Sequence, residues 1–96
     1  MLAAWVGAAG TETPAHCDPV DNLVAQFGGR KRWRLWAPGA GAAAAPDFDL
    51  VLAPGDVLFV PRGWRHRVVA ESAAVAASLW FLEGEELPAF TAERDA

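Results

Sequence analysis

The amino-acid sequence predicts an all-β domain, a sandwich or barrel of eight short strands, and three observations carry that prediction. Turn-forming residues recur so densely along the 96 residues that no segment between them is long enough for an ordinary helix. The segments that remain are short, apolar and regularly spaced, as in a sandwich or barrel. Several alternate in character with a period of two, the mark of a strand with one buried face. One domain is all the chain can supply: 21 residues are alanine, and the larger apolar side chains fill one small core, not two.

The strands are read in order from the breaks between them. Residues 2–7 form the first, ended by the glycine-rich turn at 7–11, and residues 12–17 the second, stopped by Asp18-Pro19. The third spans 23–28 and ends at Gly28-Gly29. The fourth, 31–36, places Arg32 and Arg34 on one face and Lys31, Trp33 and Leu35 on the other, so a lysine is expected to point inward. Residues 37–46, mostly Gly and Ala, have nothing to pack and read as a surface loop. The fifth strand spans 48–53. The sixth, 57–60, is an unbroken apolar run and is expected to be covered on both faces. After the turn Pro61-Arg62-Gly63 come the seventh, 66–70, and the eighth, 75–82.

Charge and cysteine content exclude several function classes. Eight basic against twelve acidic residues give a net charge of −4, so there is no positive field for bulk nucleic-acid binding. Arg30, Lys31, Arg32 and Arg34 cluster, but their alternation makes Arg32 and Arg34 a solvated strand face. One cysteine, Cys17, cannot form an intrachain disulfide. No apolar run is long enough to span a bilayer as a helix, and the N-terminal stretch lacks the basic start of a secretory signal. An intracellular location, cytoplasmic or nuclear, is the expectation.

The two histidines of the chain carry the sharpest chemical pattern. His16-Cys17-Asp18 sends an imidazole and a carboxylate from the same face of an extended segment, while Cys17 points away as a small inert side chain. His66 follows 50 residues later, beginning the seventh strand. If the second and seventh strands are neighbours, the three groups converge. Two imidazoles and one carboxylate leave coordination positions open, as in non-haem Fe(II) oxygenases, and zinc fits the same set. An inward Lys31 needs an anion, because an unpaired buried ammonium is costly.

The text around these residues resembles the JmjC and cupin-like family of 2-oxoglutarate- and Fe(II)-dependent oxygenases, in its small hydroxylase-type branch. The resemblance runs in register through residues 5–11, Thr13-Pro14-Ala15-His16-Cys17-Asp18, residues 21–26, 29–38, 52–66 and 77–81. It implies a double-stranded β-helix, a jelly roll of cupin type, as a minimal eight-strand barrel lacking flanking helices. It implies further that His16, Asp18 and His66 bind Fe(II). Lys31 and Thr13 hold the distal carboxylate of 2-oxoglutarate, Asn22 and Ser78 lie near the cosubstrate, and Trp80 stands near the metal. The implied activity is hydroxylation, of a protein side chain or a small molecule. The alternative is a non-catalytic cupin-like module that binds a metal or ligand. Where the family inserts a long segment between the fourth and fifth strands this chain has only residues 37–47. Its last residues, 91–96, are too few for a dimerising helix. The chain is expected to be one domain over residues 1–96, either complete or part of a longer protein.

Overall fold

The computed structural model describes residues 1–82 and contains no helix among them. Its eight strands are β1 (Leu2–Gly7), β2 (Glu12–His16), β3 (Asp21–Gly28), β4 (Lys31–Trp36), β5 (Phe48–Leu52), β6 (Val57–Val60), β7 (Arg65–Ala70) and β8 (Ala74–Phe81). They form two four-stranded antiparallel sheets, ordered β1-β8-β3-β6 and β2-β7-β4-β5. This is the jelly-roll double-stranded β-helix expected from the sequence. The segment after Leu82, including residues 91–96, lies outside the described residues.

Boundaries differ from the sequence pattern mainly at β3, which starts two residues early. Asp21 and Asn22 look like turn formers, yet they pair with Phe81 and Trp80 of β8. Long-range pairing overrides their local preference. Asp21 remains satisfied because the Arg62 amide donates to its Oδ1 at 2.8 Å and the Arg62 guanidinium reaches both oxygens at 3.3–3.4 Å. Gly29 turns β3 into β4 with φ +66°, and a Cβ there would overlap the Ala73 carbonyl oxygen. The Gly-Gly break is thus required by close backbone approach.

Between the sheets, Val24, Trp33, Leu35, Leu52, Val60 and Val68 make the core, with Leu50, Leu58 and Trp64 packed against it. Each fully buried side chain of this kind contributes about 1.5–3 kcal/mol relative to exposure. Alternation in β4 holds as predicted: Trp33 and Leu35 are buried, while Arg32 and Arg34 turn outward onto Asp49 of β5.

The expectation for β6 is corrected. It is an edge strand, paired only with β3, and Val57 and Phe59 are exposed while Val60 is buried. An apolar run therefore marks burial on both faces only when the outer face has a covering layer. Here the outward residues of the β1-β8-β3-β6 sheet, Asp21 apart, are apolar. One row across it reads Leu2, Leu79, Leu23, Phe59; the next reads Ala4, Ala77, Ala25, Val57.

The Asp21–Arg62 contact ties β3 to the turn before β7. Its backbone hydrogen bond is the largest influence and, with the guanidinium, holds the Asp21 carboxyl below its ordinary value of 3.8 against the opposing effect of burial. Its contribution to stability is complete above 3.8 and is lost as the pH falls through the lower folded value. Asp21→Asn is expected to lower the thermal midpoint at pH 7. The gap from the parent should close as acid unfolding curves are taken below pH 3.8.

Candidate metal centre

β2 and β7 lie side by side, and His16 stands directly opposite His66. Thr13 faces Val68 two residues further along β7, so three steps on β2 match two on β7. The extra residue is a β-bulge, and Pro14, which has no N–H to give to a ladder, lies within it. Strict alternation would put Thr13 and His16 on opposite faces. The bulge changes the phase of the strand, and both residues line one cavity.

Asp18 falls just past the end of β2 and not on it, a small departure from the expected strand. Its backbone is held by the Gly63 amide, which donates to the Asp18 carbonyl at 2.9 Å. Gly63 adopts φ +82°, a conformation that side-chain-bearing residues rarely enter. The turn before β7 is thereby fastened to the segment carrying Asp18. The carboxylate reaches His16 Nε2 at 3.7 Å through one oxygen and His66 Nε2 at 3.6 Å through the other. One ligand atom from each residue lies within 4.8 Å of the others, the single such cluster among the described residues.

The hydrogen bonds decide which ring nitrogens are free. His16 Nδ1 lies 2.9 Å from the Pro14 carbonyl and His66 Nδ1 lies 3.0 Å from the Trp64 carbonyl. A carbonyl oxygen only accepts, so each Nδ1 carries a proton and donates it. Burial pushes the His66 pKa below 6.5; the Trp64 carbonyl opposes this, His16 adds to it, and the Asp18 charge opposes it. A neutral His66 then directs a bare Nε2 lone pair toward a carboxylate. Two acceptors facing each other at 3.6 Å repel unless a cation lies between them. Trp33 stacks on the His66 ring, centroids 5.7 Å apart and planes inclined by 25°, and so fixes its orientation.

The triad opens into a cavity of about 450 Å³ between the sheets. Thr13, Asn22, Lys31 and Ser78 also line it, so the structure brings all seven residues selected from the sequence to one space. Trp80 lines it too, while Cys17 is exposed outside it. Asn22 is buried on β3, and its Oδ1 has no hydrogen-bond partner. Lys31 has no ion-pair partner among the described residues, and burial lowers the pKa of its ammonium group from 10.5. A cation unpaired among the described residues and an unsatisfied amide oxygen in one cavity suit a polar anionic ligand.

Sequence reasoning missed Trp5 as a contributor. Its Nε1–H donates to Ser78 Oγ at 3.0 Å, and its ring meets Trp80 edge-on at 5.9 Å. With one acceptor position taken, Ser78 keeps its own hydroxyl proton to donate into the cavity. The contact depends on β1–β8 register, which places Ala3 opposite Ser78 and Trp5 opposite Ala76; no local motif reports it. Trp33 was assigned to the inner face with Lys31, but its stacking on His66 likewise requires the β4–β7 pairing.

Because burial lowers the Lys31 pKa, the folded protein binds fewer protons than the unfolded chain over a range below 10.5, and stability rises with pH through that range. Lys31→Met is expected to raise the thermal midpoint of the metal- and ligand-free protein by a few degrees at pH 7. The advantage should shrink as melting curves are measured closer to pH 10.5.

A family model described as JmjC domain matches residues 2–85. The bifunctional lysine-specific demethylase and histidyl-hydroxylase NO66 of Drosophila persimilis is 38% identical over 68 residues, a match covering 58% of this chain and 10% of that protein. Jumonji C domain-containing protein 5 of Drosophila melanogaster is 31% identical, with 83% of this chain and 27% of that protein covered. Among solved structures, the ribosomal oxygenase YcfD of Escherichia coli, in complex with cobalt and 2-oxoglutarate, superposes with a TM-score of 0.77 at 26% identity. That superposition covers 98% of this chain and 26% of YcfD, so the chain corresponds to about a quarter of its length. Sequence, fold and the His-Asp-His cavity agree: the chain belongs to the JmjC domain family of Fe(II)- and 2-oxoglutarate-dependent oxygenases.

Proposed function

We propose that this chain is the catalytic barrel of an Fe(II)- and 2-oxoglutarate-dependent hydroxylase acting on protein side chains. The observation that carries the reading is one cavity with a two-histidine, one-carboxylate cluster and a lysine that has no ion-pair partner among the described residues. His16 Nε2, His66 Nε2 and an Asp18 oxygen would hold the iron, leaving coordination positions for the cosubstrate and for dioxygen. When bound, the metal and cosubstrate together supply an oxidant able to hydroxylate an unactivated carbon, with 2-oxoglutarate converted to succinate and CO2.

The chain's own groups bind, orient and shield. Leu35 of β4 pairs with His66, and Lys31 lies four residues back along the same strand, about 13 Å at the rise of a β-strand. A lysine stem and a five-carbon dicarboxylate together bridge such a distance. Lys31 neutralises the distal carboxylate, and the Thr13 hydroxyl, on the same side of β2 because of the bulge, donates to it. Ser78 donates its proton toward the cosubstrate, with Trp5 occupying one of its acceptor positions. Asn22 supplies amide groups beside the metal. Val24, Trp33 and Val68 wall the cavity with apolar surface and exclude water from it.

The exposed His16 side chain marks the open side of the centre, where a substrate residue can approach. Hydroxylation is supported by the name of one relative, a bifunctional lysine-specific demethylase and histidyl-hydroxylase, and oxygenase chemistry by two ribosomal oxygenases. Lysine demethylation, named for that same bifunctional relative and for others, is the competing reaction.

The purified chain is expected to convert 2-oxoglutarate to succinate only with Fe(II), and to add 16 mass units to a protein substrate without loss of methyl groups, both read by mass spectrometry. His16→Ala should reduce turnover to background. Lys31→Met should raise the KM for 2-oxoglutarate tenfold or more, since a hydrogen bond to a charged group is worth roughly 1.5–3 kcal/mol. Iron affinity in that variant should be unchanged. Iron binding without any 2-oxoglutarate consumption would instead identify a non-catalytic metal-binding barrel.

A further inference from the structure

The cavity that holds the triad does not end at its lysine. A second, smaller space of about 60 Å³ adjoins it on the side of the edge strands β1 and β2, bordered by Gly7, Thr11 and Ala70. Trp5, Thr13, Lys31 and Val68 line both spaces, so Lys31 and Thr13 stand at the junction of the two. The volume exceeds the roughly 10–15 Å³ that one water molecule requires.

Small residues keep this space open. Ala70 of β7 lies directly opposite Lys31 of β4, and its methyl is all that the neighbouring strand adds on that side. Gly7 ends β1 with no side chain, and a Cβ built there would stand 3.3 Å from Thr11 Oγ1. A methyl at Gly7 would therefore narrow the gap between β1 and the turn that follows it.

The two ends of the site differ in their freedom. At one end His16, Asp18 and His66 are held by the Pro14 carbonyl, the Gly63 amide and the Trp64 carbonyl. At the other, Lys31 is half-buried and carries a point charge on a flexible four-carbon stem with three rotatable donors. One more methylene carries a distal carboxylate about 1.3 Å further from the metal end. The same ammonium can meet it by withdrawing into the second space, and the Thr13 hydroxyl borders both positions.

We propose that this space is a tail pocket through which the site accepts a 2-oxo diacid one carbon longer than 2-oxoglutarate, with Gly7 setting the limit of length. The inference rests on the oxygenase reading above, in which the 2-oxo acid end is held at the metal and the distal carboxylate at Lys31.

The test is binding and not turnover. The full chain, loaded with redox-inert Zn(II), is titrated calorimetrically with 2-oxoglutarate, with 2-oxoadipate and with 2-oxobutyrate, which lacks the distal carboxylate. In the parent, 2-oxoadipate is expected to bind within threefold of 2-oxoglutarate, and 2-oxobutyrate at least tenfold more weakly. Gly7→Ala should weaken 2-oxoadipate at least tenfold and leave 2-oxoglutarate within threefold of the parent. Thr11→Leu, on the exposed turn after β1, narrows the same gap from its other side and should act in the same direction. Retained 2-oxoglutarate affinity shows that each variant has kept its fold. Tight 2-oxoglutarate binding in the parent with 2-oxoadipate tenfold weaker or worse overturns the tail pocket and leaves the oxygenase reading standing. So does 2-oxoadipate binding that neither substitution alters, and loss of every ligand in both variants overturns the role given to Gly7. A parent that binds 2-oxoglutarate no better than 2-oxobutyrate overturns the oxygenase reading and the tail pocket with it.

Discussion

The site depends on how β2 lies against β7. His16 and His66 face each other because the two strands are hydrogen-bonded neighbours, and they converge on Asp18 because the Gly63 amide fastens the turn before β7 to the Asp18 carbonyl. The bulge at Pro14 does the rest. A regular strand could direct either Thr13 or His16 into the barrel but not both, since successive side chains alternate faces. One inserted residue resets the alternation, and a hydroxyl and an imidazole three positions apart come to line the same space. Bulges commonly re-aim side chains beside active sites, and this one brings Thr13 into the same cavity as His16.

The electrostatics of the cavity are those of a receptor whose ligands complete it. Burial disfavours charge on both His66 and Lys31, though by different routes to use. For His66 the neutral ring is the competent form, because a metal ligand needs a free lone pair. In the role proposed for Lys31 the charged form is the competent one, and its desolvation would be offset when an anion arrives. The same low-dielectric wall thus prepares a base to bind a cation and a cation to bind an acid. The backbone carbonyls of Pro14 and Trp64 complete the arrangement by holding the proton of each ring on the side away from Asp18.

The distribution of charge outside the cavity separates two roles for the sheets. The β2-β7-β4-β5 sheet carries His16, His66 and Lys31 inward and ion pairs outward. The β1-β8-β3-β6 sheet carries Asn22, Ser78 and Trp80 inward and an apolar wall outward. In isolation that wall would be the weaker design, as exposed apolar sheet surface costs hydration free energy and invites association.

Much of this molecule was legible along the chain. Dense turn chemistry and period-two alternation determined an all-β domain, the inward direction of Lys31, Trp33 and Leu35, and the outward direction of Arg32 and Arg34, because those signals act within a few residues. The His16-Cys17-Asp18 triplet and the distant His66 offered a candidate donor set for the same reason: donor chemistry belongs to residue type. The phase change at Pro14, the inclusion of Asp21 and Asn22 in a strand, the Trp5–Ser78 contact and the open outer face of β6 were decided only by tertiary structure. Each of these depends on which strand lies beside which and in what register, and neighbours far apart in sequence leave no local trace of that choice.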